Sequence, residues 1–256
     1  MIDVNVYLHR WPFRRLPGDE PEALVAKLTA AGVTQAWCGS FDALLHRDVA
    51  AVNSRLASDC RKHGGDLLRP FGAVNPTLPD WLDDVRRCRE THGMSGLRLH
   101  PNYHGYKLDD PRFAELAAAA AERKLLLQIA VTMEDERTQH PLVLVPHVDL
   151  APLVPLMKQL PELRVVLLNA FRGAKVNVVD QLAATERAWF DIAMKEGVGG
   201  VENLVKQVGH EKVLFGSYYP FFLHESAQWK LKESPLGGVQ LEAISQGNAE
   251  RLGSAT

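Results

Sequence analysis

Arg98 and His100 stand two residues apart in the apolar run from Met94 to His100, and in an extended chain residues two apart share one face. A guanidinium beside an imidazole can hold an anion and move a proton. The fork binds carboxylate or phosphate side-on, and the imidazole titrates near neutrality. The same alternation pairs Asn5 with Tyr7 in the first apolar run and Gln128 with Ala130 in another. Asn169 ends a further run with Arg172 three residues on, Asp191 lies in the next, and Ser217, Tyr218 and Tyr219 close the last. In the chemistry this set allows, His100 is the leading acid or base and Asp191 a carboxylate base, while Tyr218 or Tyr219 donates to a developing oxyanion. Arg98, Arg137 and Arg172 would hold a substrate anion, with Asn5, Tyr7, Tyr103, His104, Gln128 and Asn169 completing the lining. If Arg98 points inward, its charge needs either an acid such as Asp191 or Asp135 or an anionic ligand, and residue types leave both open.

Elements must bring these residues together. Apolar, β-branched runs predict strands at Ile2–Leu8, Val33–Cys38, Leu68–Val74, Met94–His100, Leu125–Val131, Arg164–Asn169, Trp189–Ala193 and Val213–Phe215, the last ending in Gly216, Ser217 and Pro220. Helical spacing and stop signals predict helices over Glu20–Ala31, Asp48–Lys62, Asp80–Thr91, Asp110–Arg123, Asp149–Leu160, Val176–Thr185 and Val198–Val208, with a last one holding Glu250-Arg251-Leu252. This alternation on 256 residues predicts an α/β fold, one (βα)₈ TIM barrel domain over 1–256, with an open doubly wound sheet as the runner-up. No glycine-rich phosphate loop follows the first strand, which counts against the runner-up. In a barrel the chemistry sits at the C-terminal strand ends, where His9, His100, His104, His140, His147 and His224 also fall. His46, His63, His92 and His210 accompany helices and read as structural.

Composition narrows the function classes. The formal net charge is −2, with 29 basic and 31 acidic residues interspersed, so there is no footprint for nucleic acid or an anionic membrane. Cys38, Cys60 and Cys88 lack metal-ligand spacing and read as ordinary thiols in a reducing compartment. No apolar stretch reaches a membrane span and no signal peptide opens the chain, so the expected location is cytoplasmic. The expected partner is a small anionic substrate; a homodimer is the assembly considered.

The stretches IDVNVYL, GLRLHPNYHGYKLDDP, LLLQIA, VVLLNAF, VLFGSYYP and ISQGNAERL together resemble the amidohydrolase-related family of barrel metal hydrolases, lactonases and decarboxylases. That resemblance implies a His-x-His pair on strand one, histidines at the ends of strands five and six, and a metal-binding aspartate on strand eight. The chain has Asn5 and Tyr7, Ala130, Asn169 and Tyr218 at those positions. Asn, Tyr and Ala do not supply the three or four donors that a divalent ion needs. The expectation is therefore no metal and no cofactor, with a relocated zinc-type site on His100, His104 and Asp191 as the alternative. Two functions follow from the likeness: a hydrolase or lactonase working without the inherited metal on a small carboxylate- or phosphate-bearing substrate, or a catalytically inactive relative that binds a ligand or a partner subunit.

Overall fold

The computed structural model describes residues 1–254. Strands β1 (Ile2–Leu8), β2 (Gln35–Ser40) and β3 (Leu68–Pro70) pair in parallel, as do β4 (Gly96–Leu99), β5 (Leu126–Ala130), β6 (Val165–Leu168), β7 (Ala188–Asp191) and β8 (Val213–Leu214). Two single parallel bridges, Gly72 to Leu97 and Val6 to Tyr219, join the three-stranded and five-stranded ribbons. The sheet therefore closes on itself, and the fold is the (βα)₈ TIM barrel. Among the described residues no helix is long and apolar enough to cross a membrane.

The helices α1 (Pro21–Ala30), α2 (Val49–Asp59), α3 (Trp81–Glu90), α4 (Pro101–His104), α5 (Pro111–Glu122), α6 (Leu153–Gln159), α7 (Val176–Ala183) and α8 (Gly200–Val208) sit between the strands. Helices α9 (His224–Glu233), α10 (Gly238–Glu242) and α11 (Asn248–Ser254) follow β8. Local chemistry sets several boundaries. Asp48 and Asp110 cap α2 and α5 by accepting from the backbone of Ala51 and Arg112, and Pro111 opens α5 where its missing N–H costs nothing. The predicted start of strand two at Val33 moves to Gln35, because Val33 N–H turns back to Leu28 and completes the exit from α1. Helix α4 and the polar α9 were not anticipated; α9 buries only His224, Ala227 and Leu231, too few to mark a face in the sequence.

Inside the barrel the inward residues form layers. Trp37 stacks on Phe71 at 5.1 Å and joins Val4, Leu126, Val166 and Leu214 in an apolar floor closed by Ala249 and Leu252 of α11. Above it lie Arg98, Gln128, Asn5 and Asp191, all fully buried. Two glycines make that layer possible. A Cβ on Gly39 would lie 2.6 Å from Arg98 Cδ, and one on Gly216 would lie 2.7 Å from Asp191 Oδ2. These contacts are closer than carbon packing tolerates, so large polar side chains occupy the space the glycines leave.

Candidate functional site

Arg98 points into the barrel as expected, but its partner is neither an acid nor a place for one. Its Nε donates to Gln128 Oε1 at 2.7 Å, Nη1 to Val6 O at 2.6 Å, and Nη2 to Val4 O at 3.1 Å and Trp37 O at 2.8 Å. Its guanidinium carbon lies 4.5 Å from the centre of the Tyr7 ring. The β1–β2 register breaks between Asp3 and Val6, and the carbonyls of Val4 and Val6 there accept from Arg98. Gln128 Nε2 also donates to Val4 O at 3.0 Å. The expected Arg98 contact with Asp191, Asp135 or a ligand anion is thus replaced by a bond set that pins strand β1.

Asn5, Asn169 and Asp191 meet beside this bond set. Asn5 Nδ2 donates to Asp191 Oδ2 at 2.7 Å and to Asn169 Oδ1 at 2.9 Å, and the Asn169 main-chain N–H donates to Asp191 Oδ1 at 2.8 Å. Asn169 takes a left-handed φ of 56° to reach this position, a conformation asparagine tolerates better than most residues. Burial pushes the Asp191 carboxyl up to about 6, outweighing the two donated hydrogen bonds that favour the carboxylate.

The mouth is aromatic. Tyr7 stacks on Phe41 at 4.4 Å, its hydroxyl lies 3.0 Å from His100 Nε2, and Tyr218 packs edge-on at 5.6 Å. Tyr218, at a left-handed φ of 60° that costs an aromatic residue strain, donates its hydroxyl to Met133 O at 2.7 Å. Trp11, Phe41, Met133 and Ala130 fill the rest, with Tyr103, Phe221 and Phe222 packed against them. His100 Nδ1 has no partner and its side chain lines a cleft of about 10 Å³ beside Tyr103, Met133 and Gln139, room for about one water. Burial first, then the neighbouring His104 and Arg98, push the His100 imidazole well below its usual value, so it is neutral at pH 7. His104 Nε2 takes Ala43 O at 2.8 Å and its Nδ1 is also unpartnered.

Three expected site residues lie elsewhere. Tyr219 faces outward among Leu24 and Leu28 of α1, because the turned backbone at Tyr218 breaks the alternation that would have aimed it inward. Arg137 and Arg172 both hold Asp135 in the β5–α6 loop, at 2.7 Å and 2.8 Å, and Arg137 is 82% exposed. This loop lies over the cleft, fixed by bonds of Asn102 to Pro146 O and of Gln139 Nε2 to Val145 O. Phe41, Met133 and Trp11 were missed, although Phe41 continues the inward alternation of Trp37 and Gly39 and could have been read from it.

The amidohydrolase family model matches residues 7–252, nearly the whole chain. The chain belongs to the amidohydrolase family. No curated protein matches it. Among solved structures it is similar to 2,6-dihydroxybenzoate decarboxylase from Rhizobium, at 14% identity and a TM-score of 0.77, covering 98% of this chain and 99% of that one. It is also similar to a dihydroxybenzoic acid decarboxylase from Polaromonas sp. with bound manganese and the inhibitor 2-nitroresorcinol, at 15% identity, a TM-score of 0.76 and coverage of 99% and 96%. A third is 5-carboxyvanillate decarboxylase from Novosphingobium aromaticivorans with bound manganese and 3-methoxy-4-hydroxy-5-nitrobenzoic acid, at 14% identity, a TM-score of 0.72 and coverage of 99% and 96%.

These structures overturn the expectation of no metal and no cofactor, since two of the three hold manganese. The residues of this chain do not form a ready site for such an ion. Among the described residues no three His, Cys, Asp or Glu side chains converge on one point. Both oxygens of Asp191 already accept N–H groups. The alternative set of His100, His104 and Asp191 does not assemble either, because the two imidazoles turn their Nε2 atoms to Tyr7 and Ala43.

Proposed function

We propose that this amidohydrolase-family chain is an enzyme acting on a small carboxylate at the C-terminal mouth of the barrel, with the Tyr7–His100 pair moving the proton. The observation that carries the reading is the buried, unpartnered Nδ1 of a neutral His100 beside the cleft. Its other nitrogen is tied to Tyr7, so the pair has two proton arrangements. When the Tyr7 hydroxyl donates to Nε2, Nδ1 bears a proton and is an acid towards the cleft. When Nε2–H donates to Tyr7, the hydroxyl is free to turn to Met133 Sδ at 3.6 Å and Nδ1 is a base. A base there would take a proton from water attacking a lactone or ester. An acid there would deliver one to a ring carbon as carbon dioxide leaves, the Tyr7 hydroxyl proton passing to Nε2 and water then restoring it to Tyr7. The carboxylate substrate class is supported by the benzoate-type acid bound in the Novosphingobium structure. Tyr103, half-buried beside the cleft, is the group placed to orient it.

The test is turnover of a panel of hydroxybenzoates and sugar lactones, measured with and without added manganese, by the wild type and by His100→Gln. The reading expects one substrate class to turn over and His100→Gln to lose about 10²–10⁴-fold in kcat with KM little changed. The second reading, a ligand-binding relative without activity, is favoured by the aromatic filling of the mouth. It expects binding without turnover across the whole panel under both conditions.

A further inference from the structure

The arginines of the stretch after β1 are unused by the site above, and with Trp11, which also packs in the mouth, they line a second groove. Arg10, Trp11, Phe13, Arg14 and Arg15 face Leu45 and its neighbours across a space of about 480 Å³, within the range of small-molecule sites. The acids that pair with these arginines are not among the residues lining the groove. Arg15 is gripped by Asp19 at 2.8 Å and Arg14 by Glu134 at 2.5 Å, both acids nearly fully buried, while Arg10 shares the half-exposed Glu20 with Arg15. These acids hold the guanidinium groups from outside the lining, as supporting contacts preorganise a site. The one acidic lining residue, Asp42, is taken by Arg55 at 2.7 Å. The walls are apolar: Phe13 and Leu45 are exposed at 38% and 54%, and the indole of Trp11 has a buried Nε1–H with no partner.

We infer that this groove binds a small anion carrying an apolar ring, its carboxylate on the Arg10 and Arg14 side and its ring against Phe13 and Leu45. A carboxylate can displace Glu20 from Arg10, since that ion pair is solvent-exposed on both sides and weakly held. The inference does not depend on the proton-transfer reading of His100, whose cleft lies over β4 and β5, although Trp11 and Phe41 border both places.

Calorimetric titration with 2-naphthoate at low salt tests it, with 2-naphthylmethylamine and inorganic phosphate as comparison probes. The groove predicts one 2-naphthoate per chain, tighter than either comparison probe, and a shifted Trp11 indole N–H resonance. Arg10→Gln and Phe13→Ser, both at exposed positions, should each weaken binding about tenfold with an unchanged melting temperature. The inference is overturned by absence of binding up to millimolar probe, or by affinity unchanged in both variants. It is equally overturned if phosphate binds as well as 2-naphthoate, or if His100→Gln loses the affinity that Arg10→Gln and Phe13→Ser retain.

Discussion

Four hydrogen bonds from Arg98 end on Gln128 Oε1 and three main-chain carbonyls, so its charge is spread over dipoles instead of being cancelled by a carboxylate. Removing it strands acceptors that no water can reach, and each such group costs roughly 1–3 kcal/mol. Arg98→Ala should therefore destabilise the fold by about 4 kcal/mol or more, and Arg98→Lys by about 2–4 kcal/mol because a single ammonium cannot reach four separated acceptors. Denaturant melts check this; an Arg98→Ala protein as stable as wild type would contradict the bond set. Asp191 gives a pH signature. Its raised value of about 6, against an ordinary 3.8, means the native state keeps the proton that the unfolded state has released. Its contribution is therefore full below pH 3.8 and is lost as the pH rises through 6, by a total of about 3 kcal/mol. The stability of wild type minus that of Asp191→Asn should fall across that window when both are melted from pH 4 to 6.5. A difference that rose with pH would show that the carboxylate is the form the native state prefers.

At the scale of elements, the apolar runs located the strands because a barrel strand is buried on both faces and reads as continuous hydrophobicity, as Leu126–Ala130 and Val165–Leu168 do. What could not be read was where alternation fails. The register break in β1 turns the carbonyls of Val4 and Val6 inward, and the left-handed Tyr218 sends Tyr219 outward; main-chain geometry of this kind leaves no mark in residue types. The partner of Arg98 was illegible because three of its four acceptors are main-chain carbonyls, which every residue type carries. The β5–α6 loop is the element on which access turns. The cleft beside His100 has room for about one water, so the proposed reaction requires this loop to move away. Asn102→Ala, which cuts the tie to Pro146, should open the cleft more often and raise kcat/KM several-fold while leaving the fold intact. Steady-state kinetics decide it, and an unchanged kcat/KM beside an unchanged melting curve would show that the tie does not govern entry. Asp135→Asn should act in the same direction, because the Arg137 guanidinium, with Arg172 behind it, holds the carboxyl well below the usual range.

For the molecule as a whole, eight parallel strands bring residues from 5 to 218 to one end of one barrel. That much followed from the order of apolar runs, and the family match over residues 7–252 agrees with it. The buried polar centre of this chain is Asn5, Asn169 and Asp191, while Tyr7, Phe41, Tyr218 and Met133 pack together at the mouth. The proposed proton transfer therefore rests on the Tyr7–His100 pair. The most direct measurement of that claim is a ¹⁵N spectrum of the histidine imidazoles during titration with 2,6-dihydroxybenzoate. The account predicts that His100 Nδ1 shifts on saturation, that Nε2 responds with it through Tyr7, and that Tyr7→Phe uncouples the two. His100 resonances unmoved by a saturating carboxylate, or moved equally in Tyr7→Phe, would contradict it.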